Sequence, residues 1–169
     1  IVSSERTDLN ESKKELCKIT NKYNVSGTLA DAVAGKDVFI GVSKPDILTS
    51  EMIRSMSPMP LVFAMSNPEP EVDPEVAKSA GAYIIGTGRS DYPNQINNLL
   101  AFPGIFRGAL DAGATSITLD MKLAAAKAIA NTLSIHELTP DRVIPSPLDD
   151  NVGKNVAQAV ASAWNEKDK

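Results

Sequence analysis

Apolar residues along this chain gather into short continuous runs, separated by stretches of helical spacing. The runs are Val38-Phe39-Ile40-Gly41-Val42, Leu61-Val62-Phe63-Ala64-Met65 and Tyr83-Ile84-Ile85-Gly86, each closed by polar residues, glycine or proline. A short run without polar alternation is the pattern of a strand buried on both faces. Around the runs the spacing turns helical. Asn10 caps a predicted helix through Tyr23, with Leu16, Ile19 and Tyr23 at helical spacing and lysines opposite. Thr28 caps residues 29–34, and Gly35 is placed as their stop. Thr49 caps a helix that turns Met52, Ile53 and Met56 inward. Asp73-Pro74 opens the next, with proline in the first helical position, and Gly81 ends it. After the third run the spacing predicts helices over 95–101, 104–111, 118–133 and 151–164, the last capped by Asp149-Asp150.

Strands of about five residues alternating with helices indicate right-handed βαβ crossovers and a parallel sheet, an α/β fold. Ser43, Asn67 and Gly88 then each follow the C-terminal end of a strand. That is the edge where open α/β sheets bind ligands. Ile1-Val2-Ser3-Ser4 reads as the tail of a strand already under way, which suggests a fragment.

Composition narrows the classes. At 169 residues the chain fits one ordinary domain and is small for a complete two-substrate enzyme. A net charge of −4, with 17 Lys and Arg in no dense cluster, gives nucleic acid and anionic membranes little to hold. No apolar run approaches the roughly 18–20 residues that span a bilayer. Cys17 is alone, which excludes an internal disulfide and a thiolate metal cage and suits a reducing cytoplasm.

The candidate chemistry concentrates in residues 83–108. There Gly86 and Gly88 break an apolar run, and Arg89, Ser90, Asp91 and Asn94 precede the paired amides Asn97 and Asn98. Such a density of hydrogen-bonding groups makes a candidate floor for a small polar ligand. Bland readings stand beside it. Asn67 is a ligand-binding amide or a turn former ahead of Pro68, and spacing favours the turn. Asn97 and Asn98 are ligand contacts or exposed helix residues, pointing about 100° apart on a helix. Gly86-Thr87-Gly88 lacks the third glycine of a dinucleotide fingerprint. Arg89 and Asp91 read as an ion pair or a helix-capping arrangement, His136 as a surface residue, and Glu69 and Glu71 as a solvated turn.

Three blocks taken together carry a resemblance. They are Phe39-Ile40-Gly41-Val42-Ser43 with Pro45, Phe63-Ala64-Met65-Ser66-Asn67-Pro68-Glu69-Pro70-Glu71, and Thr87 through Ala109 with its Tyr92-Pro93-Asn94-Gln95-Ile96-Asn97-Asn98 and Phe102-Pro103-Gly104-Ile105-Phe106-Arg107-Gly108. In this order they resemble the NAD(P)-binding domain of malic enzymes of the shorter prokaryotic type. The likeness continues through Met121-Lys122-Leu123-Ala124-Ala125-Ala126 and Ile144-Pro145-Ser146-Pro147.

The resemblance implies a Rossmann-like parallel sheet, the second half of a dinucleotide-binding domain, over residues 1–134. A connector and C-terminal helix follow over 135–169. It implies oxidation of L-malate by NAD or NADP, then decarboxylation to pyruvate with a divalent metal, Mg or Mn. It assigns Asn67 to the nicotinamide end of the cofactor, with Ser43 and its neighbour Val42 lining a ribose. Asn97 or Asn98, with Asn97 favoured, falls to the malate carboxylate.

The family's glycine-rich phosphate loop, its catalytic Tyr and Lys and its metal-binding carboxylates have no matching positions. They are expected upstream of Ile1, so no catalytic residue and no metal ligand is assigned here. A fragment of this kind is expected to be inactive alone and to expose sheet edge and apolar surface. It is expected to work with the remaining N-terminal part in a cytoplasmic homo-oligomer, dimeric or larger. The competing readings are another NAD(P)-dependent dehydrogenase, a fusion with an acyltransferase domain, and a non-catalytic α/β ligand-binding module.

Overall fold

The computed structural model describes residues 1–165. It divides into two compact units, residues 1–84 and residues from Ile85 onward. The boundary expected at 134/135 falls inside the second unit.

In the first unit, helix α1 (Glu11–Cys17) is capped by Asn10, whose side chain accepts from the Lys13 N–H. It stops well short of Tyr23. Leu16, Ile19 and Tyr23 are 45%, 74% and 90% exposed, so they make no buried stripe and nothing holds the helix beyond about two turns. Helix α2 (Leu29–Val33) starts where both the N–H and the hydroxyl of Thr28 donate to Asp31 Oδ2, and ends before Gly35, at φ +66°. Strand β1 (Val38–Gly41) leads through Thr49, capping α3 (Ser50–Arg54), to strand β2 (Leu61–Ala64). Asp73 then caps α4 (Pro74–Ser79), which begins with proline as expected.

β1 and β2 pair in parallel, Val38 opposite Leu61 and Gly41 opposite Ala64. With β3 (Ile84–Thr87) they form a three-stranded sheet in the order β1-β2-β3. The α/β parallel architecture is the expected one. One expectation about it fails. β1 is buried on one face only: Phe39 and Gly41 are buried, whereas Val38, Ile40 and Val42 are 44%, 65% and 76% exposed. On the Phe39 side the core is closed, with Ile53, Met56 and Val62 also buried, and the other side of β1 meets solvent. The apolar surface expected to be exposed is there.

In the second unit the predicted helix over 95–101 reduces to a single 3-10 turn, Asn98–Leu100. Three true helices follow: α5 (Gly104–Asp111), α6 (Leu119–Ala130) capped by Thr118, and α7 (Asp150–Asn165). Asp149 Oδ1 accepts from the Asn151 N–H at the start of α7. The core here is Leu100, Ala109, Met121, Ala125, Val152, Val156 and Val160. Glycine makes the contact between α5 and α7 possible. A Cβ on Gly108 would lie 2.2 Å from the Ala157 carbonyl oxygen, and one on Gly104 2.8 Å from Val156.

Candidate functional site

In the first unit the ends of β1 and β2 meet at a buried carboxylate. Glu71 is fully buried; its Oε1 accepts the Ser43 N–H at 2.8 Å and its Oε2 accepts the Ser66 N–H at 3.0 Å. Glu71 is therefore no part of a solvated turn. Its own carbonyl accepts from the Leu48 N–H at 3.0 Å, which pins the returning segment beside residues 46–48. Burial pushes the carboxyl pKa up, and the N–H groups of Ser43 and Ser66 outweigh that, so the group sits below the ordinary glutamate range. The charge is accommodated because both oxygens are bonded.

Around this clamp lie the residues assigned to the cofactor. Ser43 and Val42 are exposed just past the end of β1. Asn67 is exposed beyond β2, in a loop closed by Ser66 Oγ donating to the Glu69 carbonyl and containing a cis Asn67-Pro68 bond. The Asn67 carboxamide bonds to no group among the described residues, so both its donor and its acceptor face outward.

The second unit carries the paired asparagines. Asn97 is half-buried and caps the 3-10 turn, its Oδ1 accepting the Leu99 N–H at 3.0 Å. That bond leaves its Nδ2 donors for another partner. Asn98 is exposed. The loop before them is fastened by Asn94, buried at φ +54°. Its Nδ2 donates to the carbonyls of Ile85 (2.9 Å) and Pro140 (2.8 Å), and its Oδ1 accepts from the Val143 N–H at 2.7 Å. The Ile96 N–H donates to the carbonyl of buried Thr87 at 2.7 Å. Arg89 and Asp91 form the expected ion pair, 2.7 Å, and His136 lies on the surface.

Glu71 and Asn94 are the two structural keys that sequence reasoning passed over. The signal for Asn94 was its place in a dense block of amides; for Glu71 it was the apolar Val72 beside it.

Exposed side chains past two parallel strand ends, Ser43 and Asn67 among them, are of the hydrogen-bonding kind that a polar ligand pairs with. A metal is a different matter: among the described residues no group of three or more His, Cys, Asp or Glu could hold one. Nor, among them, is any helix long and apolar enough to cross a membrane.

Residues 1–164 match the family described as malic enzyme, NAD binding domain. The chain belongs to that family. It is 55% identical to the bifunctional malic/malolactic enzyme of Bacillus subtilis over 94% of this chain and 38% of that protein. It is 53% identical to the NAD-dependent malic enzyme of Geobacillus stearothermophilus over 89% of this chain and 31% of that protein. The crystal structure of the NAD-dependent malic enzyme of Thermotoga maritima superposes with a TM-score of 0.85 at 50% identity, over 90% of this chain and 40% of that one. The malic enzyme domain seen here thus spans well under half the length of these relatives.

Proposed function

We propose that this chain is the dinucleotide-holding part of a malic enzyme, which oxidises L-malate with NAD or NADP and releases pyruvate and CO2. The observation that carries the reading is the family match from Ile1 to residue 164, at about half identity to malic enzymes from several bacteria. The dinucleotide supplies the hydride acceptor. Asn67, with donor and acceptor both free of internal bonds, orients the nicotinamide carboxamide. Ser43 and Val42 line a ribose. Asn97, its Oδ1 held by Leu99, turns Nδ2 to a malate carboxylate, and Asn98 stands beside it as the second amide. Neutral amides orient these groups without competing for the proton and without adding charge beside the hydride path. A site built on such bonds discriminates by leaving its own groups unpaired with the wrong ligand.

The proton-transfer groups and the ligands of Mg or Mn lie outside this chain, in the remainder of the enzyme. The whole works as a homo-oligomer in the cytoplasm, where the lone Cys17 stays reduced. The test is malate-dependent reduction of each dinucleotide by the full-length protein with Mg or Mn. Asn67→Ala and Asn97→Ala should each cost about 1–3 kcal/mol of transition-state binding, read from kcat/KM. Unchanged kinetics in both would remove the two amides from the site. The likeness to the Bacillus subtilis protein favours a second, malolactic activity, and lactate measured beside pyruvate decides it.

A further inference from the structure

No proposed chemical step uses Glu71, yet it is the one carboxylate among the described residues with no exposure at all. Burying a charge is costly, and the fold meets that cost by spending two backbone N–H groups on it. Those two donors are not arbitrary. Ser43 N–H lies two residues past β1 and Ser66 N–H two residues past β2, each in the turn leaving the sheet. The strands themselves stop pairing nearby, the last rung being Met65 N–H to the Gly41 carbonyl at 3.0 Å. Beyond that rung the carboxylate takes over, with one oxygen for each turn. Room for it is made by Gly41: a Cβ there would stand 2.5 Å from the Glu71 carboxyl carbon. Glu71 itself is held by Leu48 through its carbonyl. Asn67 directly follows Ser66, and the Ser66 hydroxyl closes the same loop onto Glu69.

We infer that Glu71 is a positioning residue for the dinucleotide: its carboxylate ties the β1 and β2 turns together and thereby fixes Asn67 against the nicotinamide. The inference rests on the reading of Asn67 as a nicotinamide contact. Glu71 touches neither cofactor nor substrate. It acts through Ser66 on its neighbour, so its effect must pass through Asn67. Gln in its place presents an NH2 group to one of two backbone N–H donors, and that turn is released.

The test is a double-mutant cycle in the full-length protein, using Glu71→Gln, Asn67→Ala and the pair, with kcat/KM for the dinucleotide and the primary isotope effect from malate deuterated at C2. Glu71→Gln should lower kcat/KM about tenfold in the wild-type background and less than about twofold once Asn67 is Ala. The isotope effect should rise, because a nicotinamide held loosely makes hydride transfer slower relative to the other steps. A structural defect alone would lower the amount of active enzyme without moving the isotope effect. Additive losses, or an unchanged isotope effect, with Asn67→Ala itself impaired, would overturn the clamp and leave the Asn67 contact standing. Full activity in Asn67→Ala would overturn the contact and the clamp together. If Glu71→Gln does not fold, Glu71→Asp, which keeps the charge but is shorter by one methylene, is read in the same cycle by the same criteria.

Discussion

A carboxylate that receives a backbone N–H on each oxygen is held in its charged form, and this has a consequence for Glu71 as acid is added. Its pKa is lowered in the folded chain, whereas the unfolded chain keeps the ordinary value of 4.5. The folded state therefore binds fewer protons, and the contribution to stability is present above the unfolded value. As the pH falls, the unfolded chain takes up the proton first, and the contribution is lost as the folded pKa is passed. Glu71→Gln should cost about 1–3 kcal/mol at neutral pH, since it breaks one buried hydrogen bond and removes the charge from the other. Urea titrations of the two proteins should draw together as the pH falls from 4.5 through the lower folded-state pKa; a gap that stays constant down to complete protonation would show that packing, not charge, holds the site. Little of this was legible beforehand. Pro68-Glu69-Pro70-Glu71 reads locally as a polar turn, and the donor that buries Glu71 comes from Ser43, 28 positions away. Asn94 is the same case, because its partners Pro140 and Val143 are 46 and 49 positions off. Caps were legible at Asn10, Thr49 and Asp73, where donor and acceptor are three residues apart or fewer.

Between elements, α5 approaches α7 closely, and the approach depends on a missing side chain. Adding one methyl at Gly108 puts it against backbone, the Ala157 carbonyl oxygen, and against Val160 Cβ at 2.8 Å. Backbone in a helix cannot step aside cheaply, so Gly108→Ala should destabilise the domain by about 1–3 kcal/mol despite alanine's better helix propensity. Gly153, also helical, has nothing within 4 Å of its Cβ position, and Gly153→Ala should be neutral or stabilising by up to about 1 kcal/mol. Denaturation midpoints of the two variants test the pair. Element type was well marked for α5, whose observed limits equal the predicted ones, because its apolar residues repeat at helical spacing. Residues 95–101 misled: Gln95 takes a bridge with Thr87 instead, and Asn97 spends its side chain on a cap.

At the scale of the molecule, β1 and the residue that follows it present Val38, Ile40 and Val42 to solvent, a face more apolar than an isolated domain usually leaves bare. The chain also spans only 31% to 40% of the related enzymes reported above. The 169-residue chain by itself should therefore produce no NAD(P)H from malate, and should self-associate as its concentration rises. Dinucleotide absorbance and sedimentation check the two halves; turnover by the isolated chain would contradict the first, and a monomer at all concentrations the second. The Gly41–Glu71 fit bears on how such enzymes can be recombined. A chimera joined anywhere between the two positions takes the space from one parent and the carboxylate from the other. Two parents that both carry the pair can be crossed there freely, whereas a parent with a side chain at 41 can donate that strand only if position 71 travels with it.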